Sequence, residues 1–129
     1  MQAAALVVST SLLVAGIVHL IPLIGIVGPG KLEALYGLDF TDPNLSILMQ
    51  HRAALFGLLG TFLVYAAFRP SVQALALVAG LSSVVSFLFL ALSYGDYNPL
   101  IGKVVVADIV ALVVLLVGVM AYIGRRRRR

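Results

Sequence analysis

From Ala3 to Val27 the chain runs for 25 residues without a charged side chain, and three more apolar runs of similar length follow. A bilayer's hydrocarbon core takes about 20 apolar residues per helical crossing, so each run is long enough to span it. Only 11% of the 129 residues are charged and 62% are hydrophobic, whereas an ordinary soluble domain carries about 25% charged residues. A soluble globule is excluded. The pattern predicts an all-α fold, an integral membrane four-helix bundle forming one domain over residues 1–129, with no room for a separate soluble domain.

The boundaries come from breaking and capping residues. The first span, about 3–27, exceeds the h-region of a cleaved signal and lacks a basic n-region, so it reads as retained. Pro22 should kink or fray its last turn. Gly28-Pro29-Gly30 then stops it, and Lys31–Tyr36 reads as a short interfacial helix between spans 1 and 2. Leu32, Leu35 and Tyr36 share one face of that helix, and Gly37 suits a left-handed C-terminal position. Asp42-Pro43 opens the second span, about 43–68, as an N-cap acid followed by proline. At 1.5 Å per residue that span is roughly 39 Å long and should tilt or project. Arg69-Pro70-Ser71 turns the chain into a third span, about 72–93. Asn98-Pro99 opens a fourth, about 99–124, which leads into the basic tail 125–129.

The net charge of +4 is local in origin. Five of the nine Lys and Arg are Arg125, Arg126, Arg127, Arg128 and Arg129, and without them four basic residues face five acidic ones. There is no basic groove interleaved with aromatics, which argues against nucleic acid as a partner. Arginines directly after an apolar span belong on anionic lipid headgroups, each contributing about 1 kcal/mol. With four spans, Arg69 and the tail share one side while Lys31, Arg52 and Lys103 lie toward the other. That bias predicts a multi-pass protein of the bacterial inner membrane with both termini cytoplasmic. Tyr36, Tyr94 and Tyr97 then collect at the outer interface. The absence of cysteine removes disulfides, thiol catalysis and covalent haem attachment. Ala53/Gly57, Ala76/Gly80 and Ala107/Ala111 are small pairs four apart that permit close helix contact.

Few polar groups lie inside the spans, and they fall at similar depth. Arg52 is nine residues past Pro43 and Asp108 nine past Pro99, so both lie about 13 Å along their helices. His51 and His19 fall at comparable positions, and counting back eight residues from Tyr94 reaches Ser86. A lone charge facing lipid costs at least about 2.5 kcal/mol, so Arg52 and Asp108 should turn inward and pair. The expected site is an outer-half polar pocket of His19, His51, Arg52, Ser86 and Asp108, with Lys31, Glu33 and Tyr36 as its lid. Two histidines and a carboxylate match a facial triad in number, but no His-x-x-x-His or Glu-x-x-His spacing supports a metal. No phosphate-binding glycine loop or nucleophile elbow is present.

Such a layer suits the binding of a lipid, quinone or other small amphiphile, in a binding or accessory protein. Three alternatives stay open: an ion pair that only sets helix register, an intramembrane enzyme using His/Asp acid–base chemistry, and a proton-coupled transporter acting as a dimer. A homodimer or a larger membrane complex is compatible with each.

The segments HLIPLIG (residues 19–25), LEALYGLDFTDPNLSILMQHRAALFGLLG (32–60) and YNPLIGKVVVADIVAL (97–112) resemble the small bacterial four-span membrane proteins of the broad DoxX-like kind. The HRA of the second span and the Asp of VVVAD in the fourth are the informative residues. The resemblance implies a four-helix inner-membrane bundle and little about activity. Some similar proteins carry the name phosphopantetheine adenylyltransferase, a soluble α/β enzyme with a His-x-x-His type motif. Here the two histidines stand 32 positions apart in different spans, which opposes it.

Overall fold

The computed structural model describes residues 2–127 and is almost entirely helical, with no strand among the described residues. Helix α1 (Gln2–Leu20) continues as a 3₁₀ segment (Ile21–Val27); α2 (Pro29–Tyr36) is the short helix; α3 (Pro43–Ala67), α4 (Gln73–Tyr94) and α5 (Pro99–Arg127) follow, a 3₁₀ turn (Pro70–Val72) leading into α4. Four segments are long and apolar enough to cross a membrane: Gln2–Val27, Pro43–Ala67, Pro70–Tyr94 and Pro99–Arg127. The chain is a multi-pass membrane protein. Its outward faces agree with a lipid solvent: Leu58, Phe89 and Leu92 are each 69% exposed, an arrangement that water would penalise.

Most boundaries follow the local chemistry read from the sequence. Pro22 has no N–H to donate and crowds the preceding turn, and the last seven residues of the first span tighten to 3₁₀ instead of breaking away. Asp42 accepts a hydrogen bond from the Asn44 amide at 2.8 Å, and Asn98 Oδ1 accepts one from the Ile101 amide at 2.9 Å, which caps α3 and α5. Gly37 closes α2 with φ +67°, a conformation that costs other residues about 1 kcal/mol or more. Helix α5 runs past the expected end at residue 124 to Arg127. Arginine is a good helix former, and cations at a helix C-terminus interact favourably with its dipole, so nothing at Gly124 stops the helix.

Helix α1 packs along both α3 and α5, and α4 packs along α5, while among the described residues the backbones of α3 and α5 stay more than 8 Å apart between Cα atoms. The closest approach is between α1 and α3. A Cβ on Gly60 would stand 2.9 Å from the Gly16 carbonyl oxygen, and one on Gly16 would stand 3.1 Å from that of Gly60. Small residues that let backbones meet are how apolar helices associate in lipid. Val8, Leu12, Ala15, Leu63, Leu77, Val84, Ala111 and Leu115 fill the centre.

At the other end, α2 covers the gap that α3 and α5 leave open. Its apolar face packs on the protein: Leu32, Tyr36 and Phe40 form a buried cluster flanked by Met49, Ile101 and Val104. Ser46 Oγ donates to the Phe40 carbonyl at 2.6 Å, and Asn98 Nδ2 donates to the Tyr36 carbonyl at 2.8 Å. The side chain that caps α5 therefore also fastens the end of α2.

Candidate functional site: a polar cavity beneath the short helix

The cavity under α2 has a volume of about 320 Å³. Its walls come from the end of α1 and the 3₁₀ segment (Val18, His19, Ile21, Pro22), from α2 (Ala34, Leu35, Tyr36), from α3 (Arg52, Phe56) and from α5 (Leu100, Lys103, Val104, Ala107, Asp108). Most of these are apolar. The polar groups are one imidazole, one phenol, two cations and one carboxylate.

Arg52 is held by three contacts at one edge. Its Nη1 donates to the Tyr36 hydroxyl at 2.9 Å, and its guanidinium lies 4.5 Å from the Phe56 ring centroid and 5.5 Å from that of Tyr36. A guanidinium out of bulk water gains from aromatic faces and from charge-assisted hydrogen bonds, and here it has both. Phe56 follows Arg52 by four positions and so lies on the same helix face.

Asp108 is only 8% exposed and lines the same cavity as Arg52. The two face one space, within electrostatic reach of each other. Among the described residues, however, no salt bridge at 4.0 Å or less joins them. The expectation of a direct pair is corrected on that point: equal depth aligned them, but α3 and α5 stand apart and Arg52 is bound to Tyr36. No hydrogen bond to a described residue engages the Asp108 carboxylate, and among the described residues no sealed side-chain polar atom lacks a partner, so the carboxylate opens onto the cavity.

His19 is 2% exposed, and its ring nitrogens are committed. Nδ1 lies 2.8 Å from the Ala15 carbonyl oxygen, which can only accept, so Nδ1 carries a proton. Nε2 lies 3.1 Å from Ser83 Oγ, and in the neutral ring it accepts from that hydroxyl. The ring also packs on Phe56 at 5.7 Å between centroids. His19 thus ties α1 to α4 and α3 while its edge faces the cavity.

The other expected site residues lie outside. His51 is exposed and points away from the bundle, on the outward stripe of α3 with Leu55 and Leu58. One residue is 100° of helix, so equal depth beside Arg52 did not put it on the same face. Ser86 is exposed, and its hydroxyl donates to the Ser83 carbonyl at 2.9 Å; Ser83, three residues earlier, meets His19 instead. Lys31 and Glu33 occupy the exposed face of α2, so the lid presents Ala34, Leu35 and Tyr36. Lys103, one turn into α5, is exposed yet also lines the cavity. Phe56 and Asn98 are additions. The first was signalled by its spacing from Arg52; the second was legible as a helix cap but not as a fastener of the lid.

Neither histidine hydrogen-bonds Asp108, so the His/Asp pair that acid–base catalysis needs is not assembled. Among the described residues no three His, Cys, Asp or Glu side chains converge as a metal site. Fold and cavity together define a multi-pass α-helical membrane protein with a mixed-charge recess at one end of the bundle. Comparisons with protein-family models, with curated proteins and with solved structures give no match.

Proposed function

We propose that this chain, of the DoxX-like kind it resembles, is a bacterial inner-membrane protein with cytoplasmic termini that binds a small amphiphile, a lipid or quinone-like molecule. The observation that carries the reading is the cavity itself. At about 320 Å³ it holds a polar head but not a long tail, and Arg52 and Asp108 both line it, from different helices. Arg52 supplies donors for an anionic or carbonyl oxygen, and Asp108 accepts from a hydroxyl or amine on the same head. The tail has somewhere to go. A shallower groove of about 170 Å³, lined by Leu55, Leu59 and Ser83, shares Arg52 and Phe56 with the cavity and lies on the lipid-facing side of α3. Apolar walls with a few converging polar groups are the usual make-up of a small-molecule site.

Native mass spectrometry of the gently extracted protein tests this. A defined extra mass should be retained by the wild type and lost from Arg52→Ala and Asp108→Asn, both still folded by circular dichroism. A bare wild-type protein, or an adduct that survives both substitutions, would overturn the reading.

A further inference from the structure

The opposite end of the molecule holds a second polar recess, about 490 Å³, lined by Pro70, Ser71, Tyr122, Arg125 and Arg126. Arg125 is only 9% exposed. Its Nη2 donates to Gln73 Oε1 at 3.0 Å, and its guanidinium lies 5.3 Å from the Tyr122 ring centroid. Gln73 is itself 1% exposed and reaches back to the Ala67 carbonyl, which also accepts from Ser9 Oγ at 2.6 Å. Among the described residues, neutral groups therefore fix the guanidinium in place and none of them balances its charge.

No acidic side chain is near enough to balance it. The five carboxylates of the sequence are Glu33, Asp39, Asp42, Asp96 and Asp108. The first four lie in the connections at the α2 end, and Asp108 is 17 residues before Arg125 on α5, about 25 Å away along the axis. A cation withdrawn from water calls for counter-charge and acceptors; no acidic side chain of the described residues stands beside Arg125, and its N–H groups not bound to Gln73 open onto the recess. Tyr122, Arg125 and Arg126 are three and four residues apart and share one face of α5, which turns toward Ser71 in the 3₁₀ turn before α4. Two forked cations, a phenol and a hydroxyl around one opening match the oxygens of a phosphate.

We propose that this recess is a built phosphate site, filled by one phosphate group at the membrane surface. It differs from diffuse attraction to the arginine run, because among the described arginines Arg125 and Arg126 line it while the exposed Arg127 does not. The same chemistry is offered by an anionic lipid headgroup and by free phosphate.

Binding of phosphatidylglycerol and of phosphatidylcholine to the purified protein is measured by native mass spectrometry, with and without millimolar inorganic phosphate. One saturable phosphatidylglycerol, preferred over phosphatidylcholine, is expected. Arg126→Gln should weaken it about tenfold, the value of one charge-assisted hydrogen bond, while Arg127→Gln, which removes the same charge, should change it less than twofold. Arg125→Gln should abolish it; if that variant does not fold, the Arg126/Arg127 contrast decides alone. Lipid retained against inorganic phosphate identifies the headgroup as the ligand, and lipid displaced with phosphate bound identifies the free ion. Equal effects at Arg126 and Arg127, or no saturable binding of either probe, would overturn the proposal.

Discussion

The lid's attachment can be broken by removing one oxygen. In Tyr36→Phe the ring keeps its buried place against Leu32 and Phe40, but Arg52 loses the hydroxyl it donates to at 2.9 Å. A hydrogen bond to a charged group is worth about 1.5–3 kcal/mol net. The lower figure applies here, because the freed guanidinium faces a cavity that water can enter and keeps its contact with Phe56 at 4.5 Å. A loss of about 1.5 kcal/mol raises the open fraction of α2 roughly tenfold. Hydrogen–deuterium exchange of the protein in nanodiscs reads this directly: amides at the end of α2 should exchange about tenfold faster, while the Gly16–Gly60 contact region keeps its protection. Unchanged exchange in α2 would show that the hydroxyl does not hold the lid. A uniform rise along every helix would show that Tyr36 supports the whole bundle.

Three further substitutions separate parts of the structure. Gly60→Ala sets a Cβ 2.9 Å from the Gly16 carbonyl, and overpacking of about 1–3 kcal/mol should outweigh a helix-propensity gain near 1 kcal/mol and lower the unfolding temperature in detergent. For Gly57→Ala the nearest atoms all belong to the Leu23 side chain, closest at 2.5 Å to a Cδ1 that can swing aside, so it should be the milder of the two. Ala107→Phe, on the α5 wall of the cavity, should remove the retained adduct in native mass spectra without unfolding the protein. His51→Ala should leave both stability and adduct unchanged, because the ring is exposed outside the cavity; loss of the adduct would return His51 to the site.

Fold and site differed in how much the sequence disclosed. Apolar length and helix-stop chemistry are local properties, and so the four spans, the caps at Asp42 and Asn98 and the left-handed Gly37 were all legible before any packing was known. Depth was legible too, since residues count off at 1.5 Å each along a helix. That placed Arg52, Asp108 and His19 at one level, where they do line one cavity. Rotation about each axis was not legible. These helices are apolar on nearly every face, so no polar stripe marks the outward side, and the choice between Ser83 and Ser86 or between His51 and Arg52 had no local signal.

The small-residue pattern shows the same limit from the packing side. Ala53/Gly57 and Ala76/Gly80 do lie on buried faces, yet the tightest backbone approach joins Gly16 to Gly60, residues on different helices that no spacing within one helix could connect. That contact matters for the site, since it sets the spacing of α1 and α3 and therefore the distance at which His19 meets Phe56. It also explains the cavity. With α1 drawn against α3 on one side and α5 on the other, α3 and α5 are held apart, and the gap between them is what α2 closes. Charges that the sequence placed at equal depth to pair with each other thus line one cavity from different helices without a direct ion pair.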